Sequence, residues 1–532
     1  MPSCKRLLVL RFSTLELFFE EMGRGAVAVV VSLWVIPISI LVNRIVPDAY
    51  MDEIFHIPQA QHYCRGDFGS WDPMITTPPG LYFVSLAYVA SLFPGMWLTK
   101  AAQSLSDLCS TAILRSTNAV VMIICSIFIH DLIIHLRPTL GERKATAYAI
   151  LIALYPVHWF FTFLYYTDVA SLTAVLAMYL ASLKKQYWLS AMLGALAILF
   201  RQTNVVWMVF VAANGAIVYV EDFYRRDCSS QENHNILHEE NNAMTEKSNF
   251  SHAYVLRRRQ ISRSVNTNKL HASESSESCL YNSSGFVDEI LDVTFKLWSL
   301  KWKVLMVFAP FAMVLVSFVT FIIWNGSIVL GAKEAHVVSP HFAQILYFGL
   351  VSASALAPLH FTTSQIAKLC QLFRNNKIVG SFLVLTALST SSVAVHWFSI
   401  AHPYLLADNR HYPFYIWRKV IQAHWIMKYL LIPIYVYSWF SIINILGEVQ
   451  KRIWVLLFGL SVALVLVPAP LIEFRYFTIP FVLLTLHSPI IGNSKLLVMV
   501  SVYVVVDIFT LAMFLFRPFH WEHEIGAQRF MW

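Results

Sequence analysis

The sequence predicts an all-α polytopic membrane protein, and composition, segment length and residue periodicity each support that prediction. Of the 532 residues, 57% are hydrophobic and 13% are charged, which is roughly half the charged share of an average soluble protein. Apolar runs near the ~20 residues that a membrane-spanning helix needs recur along the chain. The alternating pattern of a membrane β-barrel does not recur. Soluble enzymes, disordered proteins and collagen-like chains are therefore excluded.

The apolar runs predict about 12–14 transmembrane helices. Pro94 and Gly95 interrupt the second run, so it either dips into the membrane or pairs with the weak segment that follows it. The runs lie at about 25–42, 80–97, 118–136, 148–164, 169–183, 187–200, 203–220, 302–323, 342–358, 379–400, 428–446, 453–468, 477–490 and 496–516.

A polar insertion divides the chain into two helical modules. Residues 221–296 are rich in Ser and Asn and show no apolar periodicity, so they predict a disordered, cytosolic loop. The N-terminal module covers residues 25–220 and the C-terminal module residues 297–516. Residues 1–24 form a cytosolic N-terminus, and residues 517–532 form a C-terminal tail.

The distribution of basic residues predicts which loops face the cytosol, because cytosolic loops carry an excess of Lys and Arg. Lys5, Arg6, Arg11 and Arg24 place the N-terminus in the cytosol. The loops richest in acidic, aromatic and proline residues then fall on the opposite side of the membrane. These loops are 44–80, 324–341, 401–426 and 468–480.

Several function classes lack support in the sequence. The net charge of +8 is better explained by basic loops beside anionic lipids than by nucleic-acid binding, since no compact basic domain is present. The seven cysteines are scattered and form no CxxC pair, which indicates neither a disulfide framework nor a zinc site. P-loop, GxGxxG, GxSxG and HExxH motifs do not occur.

The first non-cytosolic loop is long and carries several ionisable residues. Asp52 and His56 have the i, i+4 spacing that shares one helix face, and Glu53 lies between them. Ionisable residues at a membrane edge need a partner or a function. An alternative for Asp52 and Glu53 is favourable placement at a helix N-terminus, and an isolated histidine is more often a packed residue than a catalyst.

Other loops on the same predicted side add further candidates, each with a structural alternative. Asp168 is also suited to capping a helix, and Arg201 and Arg475 to anchoring helix ends in lipid headgroups. The run Asp408 to Tyr412 suits a satisfied polar network and a polyhydroxylated ligand equally well. The full set of predicted ligand-binding residues is His56, Trp71, Asp168, Arg201, Asn204, Asp408, Arg410, His411, Tyr412, Glu473, Arg475 and Tyr476.

Seven motifs together resemble one enzyme family. They are YMDEIFHIPQAQHYC from residue 50, LYYTD from 164, FRQTN from 200, WNGSIVLG from 324, LLADNRHYPFYIWR from 405, EFRYFTIP from 473 and QRFMW from 528. This set resembles the α-1,2-glucosyltransferases of the endoplasmic reticulum that act in N-glycan assembly, which are C-type membrane glycosyltransferases (GT-C). The resemblance implies a multi-pass protein of the endoplasmic reticulum membrane, whose first luminal loop is catalytic.

The resemblance also implies the substrates. The donor would be dolichyl-phosphate-glucose, and the acceptor would be the diglucosylated high-mannose oligosaccharide on dolichyl pyrophosphate. Transfer of this last glucose in α-1,2 linkage would need no metal and no other cofactor. Membrane lipids of the endoplasmic reticulum are expected partners, nucleic acid is not, and a monomer is compatible with the sequence.

Roles for individual residues follow from the implied stereochemistry. A β-linked donor and an α-linked product mean inversion, which needs one carboxylate as general base. Asp52 and Glu53 are both candidates, and we favour Asp52, with Glu53 and His56 in orienting roles. Cationic groups would stabilise the departing phosphate, and Trp71 would offer a face for a sugar ring, as would Tyr412. The cationic candidates are Arg410, His411, Arg475 and then Arg201.

Three alternatives remain open from the sequence. Asp52, Glu53, His56 and Asp168 are ligand types that could hold a divalent cation, as oligosaccharyltransferases do. A transporter or lipid scramblase would also be polytopic with charged helix ends, although no paired broken helices in two related halves are apparent. A non-catalytic modulator of another membrane protein, such as a channel, is the third alternative.

Overall fold

The structure is a computed structural model that describes residues 3–92, 108–243, 285–336, 338–522 and 524–532. Helices α1 to α9 come before the polar insertion. Short turns at Pro, Gly, Lys or Gln residues separate most of them, as expected where a helix must stop. Their bounds are α1 Ser3–Ile45, α2 Glu53–Cys64, α3 Gly80–Leu92, α4 Thr111–Leu136, α5 Glu142–Ala153, α6 Pro156–Phe161, α7 Thr167–Leu183, α8 Tyr187–Phe200 and α9 Asn204–Ala243.

Helices α10 to α22 follow the insertion, and two short strands end the chain. A 3-10 turn (Lys333–His336), a π turn (Trp417–Ile421) and a second 3-10 turn (Phe474–Phe477) lie between them. The bounds are α10 Phe286–Ser299, α11 Lys301–Asn325, α12 Ala343–Ala355, α13 Ala357–His360, α14 Thr363–Asn375, α15 Lys377–Trp397, α16 Pro403–Ala407, α17 Tyr412–Ile416, α18 Met427–Leu430, α19 Ile432–Val449, α20 Arg452–Leu466, α21 Thr478–His487, α22 Asn493–Phe516, β1 Phe519–Trp521 and β2 Glu524–Gln528.

The helices confirm the predicted all-α polytopic fold class. Within the described residues, seven helical segments are long and apolar enough to cross a membrane: Gly23–Ile45, Thr111–Leu136, Asn204–Asp227, Lys301–Asn325, Lys377–Trp397, Met427–Val449 and Asn493–Phe516. Five shorter apolar helices are α3, α7, α8, α12 and α20. Many side chains on these helices are exposed apolar groups, as expected for surfaces that face lipid.

One apolar run is divided by a proline, and the end of another lies outside the described residues. The run 148–164 is two helices, α5 and α6, since Pro156 begins α6 and cannot continue the hydrogen-bond ladder of α5. The run 80–97 contains helix α3, which ends at Leu92. Pro94 and Gly95 lie outside the described residues, so the predicted break there is not tested.

The predicted disordered loop at 221–296 is helical at both of its described ends. Helix α9 continues to Ala243, and helix α10 begins at Phe286. The exposed apolar side chains of α10 include Val287, Leu291 and Trp298, whose spacing places them on one face of the helix. The prediction did not include this periodicity, because the polar residues that precede α10 dominate the composition of the segment 221–296.

A disulfide joins the end of α2 to the segment before α4, which corrects the prediction that the cysteines form none. Cys64 and Cys109 are bonded across 45 residues, with their Cα atoms 6.6 Å apart. Both side chains are buried, and Gln61 Nε2 donates a hydrogen bond to the carbonyl of Cys109. Sequence spacing could not reveal this pair, because the fold rather than a local motif brings the two residues together.

Contacts join three of the four polar loops that were predicted to share one side of the membrane. The amide of Leu330 donates to the carbonyl of Thr76, and the amide of His341 donates to the carbonyl of Val467. Gly331 lies so close to the first loop that an added Cβ would stand 2.2 Å from the carbonyl oxygen of Pro73. Only glycine fits at that approach.

The C-terminal tail folds back onto these loops and adds a small sheet to the helical architecture. Strands β1 and β2 pair in an antiparallel arrangement. Beyond them, the amide of Met531 donates to the carbonyl of Arg410, and the amide of Tyr412 donates to the carbonyl of Met531. The tail therefore pairs with the loop 401–426 at residues 410–412.

Candidate active site

The site is built where the turn before α2 meets the turn before α21. Asp52 Oδ2 lies 3.1 Å from Arg475 Nη1, although the two residues are 423 positions apart. The backbone amide of Asp52 donates to the hydroxyl of Tyr166 at 3.2 Å. Met51, just before Asp52, has a φ of 56°, a left-handed conformation that is uncommon outside glycine and that sets the direction of the turn.

Arg475 connects three carboxylates at this point. It binds Glu473 at 2.6 Å and Asp52 at 3.1 Å, and Asp168 Oδ2 lies 4.0 Å away. Its guanidinium carbon also lies 5.3 Å from the ring centroid of Tyr166. Burial acts to lower the pKa of Arg475, but the carboxylates outweigh burial and raise that pKa well above its ordinary value. Arg475 is therefore a fixed positive charge.

The ion pair between Asp52 and Arg475 also controls the protonation of Asp52. Burial acts to raise the pKa of Asp52, but Arg475, His56 and His411 together hold the pKa below its ordinary value. Asp52 is consequently ionised at neutral pH. Its side chain is 43% exposed, so the carboxylate can be reached by a substrate hydroxyl.

Glu53, the adjacent carboxylate, is placed very differently. Its side chain is fully buried, and Arg115 binds it through Nε at 2.8 Å and Nη2 at 2.5 Å. The amides of Tyr165 and Tyr50 donate to the remaining positions at 2.6 and 3.1 Å. Every oxygen of Glu53 is thus occupied by the protein, which suits a structural role and leaves no room for a substrate proton.

His56 and Trp71 both lie beside Tyr82. His56 Nδ1 is 2.6 Å from the hydroxyl of Tyr82, and the Trp71 ring stands edge-on to that of Tyr82 with centroids 6.1 Å apart. Burial is the largest influence on His56 and lowers its pKa, although Asp52 opposes this shift. His56 is therefore neutral at pH 7 and can exchange a hydrogen bond with a sugar hydroxyl.

Arg201 and Asp168 form a second ion pair beside the first. Arg201 Nη2 donates to Asp168 Oδ2 at 2.9 Å, and its Nε donates to Thr167 at 3.0 Å. Asn204, by contrast, is fully buried, and its amide donates to Ser171 and to the carbonyl of Ala197. The structure places Asn204 in the packing of α8 and α9, apart from the substrate-accessible groups.

The Asp408 loop forms a third polar group that the tail completes. Arg410 binds both oxygens of Asp408 at 2.8 Å and donates to Gln528 in the tail. His411 Nε2 lies 3.6 Å from Asp408, and His411 Nδ1 lies 3.0 Å from the carbonyl oxygen of Trp532. This network orients His411, which is one of the groups that lower the pKa of Asp52.

Tyr412 and Tyr476 are aromatic residues at the edges of these groups. The Tyr412 ring packs edge-on against Trp532 with centroids 5.2 Å apart, and its buried hydroxyl has no hydrogen-bond partner within the described residues. Burial raises the pKa of Tyr476, and Glu473 raises it further. Both hydroxyls therefore remain protonated and available as donors.

Of the four residues considered for a metal site, the three carboxylates lie beside arginines, whereas His56 contacts the hydroxyl of Tyr82. Asp52 and Asp168 both approach Arg475, while Glu53 binds Arg115. No group of three or more His, Cys, Asp or Glu side chains within the described residues is arranged to hold a metal ion. A guanidinium lies where a divalent cation would have to stand between the carboxylates.

Sequence reasoning missed three contributors to the site. Arg115 is an arginine in an apolar span, which predicts a buried acidic partner, and that signal would have pointed to Glu53. Tyr166 belongs to the motif LYYTD, but its contacts with Asp52 and Arg475 were not predicted. Arg529 in the tail contacts Tyr50, whose hydroxyl donates to the Arg529 carbonyl and accepts from its amide, both at 2.7 Å.

Comparison with known proteins decides the family. The DIE2/ALG10 family matches residues 46–486, which include Asp52, Asp168, Arg201, His411 and Arg475. This chain belongs to the DIE2/ALG10 family. The match covers most of both helical modules and of the four polar loops, so the predicted family resemblance is confirmed.

Curated relatives of this DIE2/ALG10 chain share the name "Dol-P-Glc:Glc(2)Man(9)GlcNAc(2)-PP-Dol alpha-1,2-glucosyltransferase". The relative from Arabidopsis thaliana is 54% identical over 96% of this chain and 100% of its own length. One from Homo sapiens is 32% identical over 92% of this chain and 94% of its own. One from Drosophila melanogaster is 30% identical over 94% and 97%. No solved structure shows a significant match.

Proposed function

We propose that this protein is an inverting α-1,2-glucosyltransferase that moves glucose from dolichyl-phosphate-glucose to the diglucosylated oligosaccharide on dolichyl pyrophosphate. The names of relatives that are up to 54% identical specify these two substrates. The observation that carries the chemistry is the pairing of an accessible, ionised Asp52 with the fixed cation Arg475. A base and an anion-stabilising group side by side are what this transfer requires.

In the proposed reaction, Asp52 removes the proton from the acceptor hydroxyl. The hydroxyl oxygen forms a bond to the anomeric carbon of the donor while the bond from that carbon to the phosphate oxygen breaks. The electron pair leaves with dolichyl phosphate, so the phosphate changes from a diester to a monoester and gains negative charge. No general acid is needed for that departure.

Arg475, Arg201 and His411 supply the positive charge that the departing phosphate needs. Arg475 is already held by Asp52, Glu473 and Asp168, so it is oriented before the donor binds. A preorganised cation stabilises charge as it develops without further reorganisation.

We further propose that the site faces the lumen of the endoplasmic reticulum. Disulfides persist in that oxidising compartment and are rare in the cytosol, and the Cys64–Cys109 bond joins the first polar loop to the segment before α4. The basic residues of the N-terminus place that end in the cytosol, which agrees with a luminal first loop.

A direct assay tests the proposed function. The purified full chain in detergent is incubated with dolichyl-phosphate-glucose and a synthetic diglucosylated acceptor, and the anomeric configuration of the product is read by NMR. We expect transfer with inversion, in the presence of EDTA as in its absence. A correctly folded protein that transfers no glucose would refute the proposal.

A further inference from the structure

A polar cavity lies apart from Asp52, at the C-terminal end of the loop 401–426 that contains Asp408. It has a volume of about 380 Å³ and opens between the residue after α15, the π turn and the start of α18. It shares no wall residue with the ion pairs of Asp52 and Asp168. Its polar and aromatic wall residues are Ser399, Trp417, Gln422, His424, Trp425 and Lys428.

The wall of this cavity is rich in hydrogen-bond donors and contains no carboxylate. Trp417 is 4% exposed, and its Nε1–H has no hydrogen-bond partner within the described residues. His424 accepts from the amide of Ile426 through Nδ1 at 3.3 Å, which leaves Nε2 as a donor. An unpartnered buried donor is costly, and a ligand that accepts hydrogen bonds would remove that cost.

The charge of the surrounding segment favours an anionic ligand. No Asp or Glu occurs between Asp408 and Glu448, whereas Lys428 adds a positive charge to the wall of the cavity. Loops on this side of a membrane normally carry few basic residues. A sugar site would be expected to include carboxylates that accept from hydroxyl groups, so these donors and cations fit a phosphate better.

The position of the cavity fits the phosphate of a lipid. The spans Lys377–Trp397 and Met427–Val449 end and begin beside it. Trp397 and Trp425 are 67% and 71% exposed, as is typical of aromatic residues at the membrane interface. The headgroup of a membrane-embedded lipid lies at that level.

We propose that this cavity binds a phosphate group of a polyprenyl-linked substrate, at a point separate from Arg475. The proposal rests on the proposed function, which supplies two such lipids, a monophosphate-linked donor and a pyrophosphate-linked acceptor. Their shared chemistry is a phosphate ester on a polyprenyl chain. Holding it at the membrane surface would fix how far the attached sugar reaches toward Asp52.

The test compares Lys428→Gln with Lys419→Gln in the purified full chain. Both substitutions remove one positive charge from the same segment, but only Lys428 lines the cavity. A charge-assisted hydrogen bond accounts for about tenfold or more in affinity. We therefore expect Lys428→Gln to raise KM for one lipid substrate about tenfold with kcat retained, and Lys419→Gln to leave both KM values unchanged.

The two sources of phosphate are distinguished by which KM rises. An increase for the acceptor assigns the cavity to its pyrophosphate, and an increase for the donor assigns it to the monophosphate. Trp417→Phe, which removes the indole N–H together with part of the buried ring, should raise the same KM. Equal behaviour of Lys428→Gln and Lys419→Gln would overturn the proposal.

Direct binding of farnesyl phosphate and farnesyl pyrophosphate separates this proposal from the function it rests on. We expect Lys428→Gln to weaken binding of one probe about tenfold, with Lys419→Gln matching the wild type. If the wild type transfers no glucose but this difference in binding persists, the proposed function fails and the cavity assignment stands. If glucose is transferred and Lys428→Gln binds both probes normally, the cavity assignment fails alone.

Discussion

Asp52 and Glu53 are neighbours in the sequence but bind two different arginines. Asp52 lies 3.1 Å from Arg475 and is 43% exposed, whereas Glu53 is fully buried against Arg115. One carboxylate can therefore reach a substrate while the other holds the first loop to helix α4. The two acids should respond to substitution in different ways.

Replacing Asp52 by Asn should lower kcat at least ~10²-fold, since general-base catalysis contributes on that order. The fold should be retained, because the amide can still contact Arg475. Asp48→Asn is the matched control, an exposed carboxylate of the same loop, and it should keep wild-type turnover. Steady-state kinetics check the prediction, and near-normal turnover of the Asp52 variant would assign the base elsewhere.

Replacing Glu53 by Gln should instead destabilise the protein by about 3–5 kcal/mol, because it leaves the buried Arg115 without its counter-charge. Thermal unfolding in detergent measures this loss. Arg115→Gln alone should have a comparable effect, and the double variant should be less destabilised than the sum of the two. An additive result would show that the pair is not coupled.

The pH dependence of turnover should reveal the partnership of Asp52 and Arg475. Asp52 must be ionised to accept a proton, and its pKa is held below the ordinary value, so activity is lost only as the pH falls through that lowered pKa. Replacing Arg475 by Gln removes the main opposing charge and raises the pKa of Asp52. The acidic limb of kcat/KM should therefore move to higher pH.

Arg374→Gln is the control for this experiment, since it removes an exposed charge from helix α14. Its pH profile should overlay that of the wild type. Besides the shifted limb, Arg475→Gln should lower kcat, because the departing phosphate loses a cation. An unshifted acidic limb in Arg475→Gln would show that Arg475 does not govern the ionisation of Asp52.

The disulfide gives a prediction about both stability and sidedness. Replacing Cys64 and Cys109 by Ser should cost about 2–5 kcal/mol of stability, because the bond closes a long loop next to the site. Mass spectrometry of unreduced, alkylated peptides should recover the bonded pair from native membranes. Recovery of both cysteines as alkylated thiols would contradict the disulfide and remove its support for a luminal loop.

How far the sequence predicted this molecule depends on whether a feature is local. The apolar runs predicted the helical architecture because a membrane span is a local property. The motifs predicted Asp52, Arg475 and Asp168 as site residues, and the structure brings them together. The partner of Glu53, the disulfide and the docking of the tail depend on residues distant in sequence, so no local pattern could supply them.

The tail supplies the last prediction, since it reaches the site through main-chain contacts. The hydroxyl of Tyr50 both donates to and accepts from the backbone of Arg529, and His411 contacts the carbonyl of Trp532. Tyr50→Phe removes two hydrogen bonds of about 1 kcal/mol each, which loosens the tail and with it His411. We expect kcat to fall roughly three- to tenfold.

Tyr404→Phe provides the matched control, because Tyr404 lies in the same loop as His411 and has an exposed side chain. It should leave kcat unchanged, and deletion of residues 526–532 should lower kcat more than Tyr50→Phe does. A role in stability alone would lower the unfolding temperature without changing kcat of the folded fraction. Because His411 acts on Asp52, a tail that orients His411 must instead change the pH profile of turnover as well as its rate.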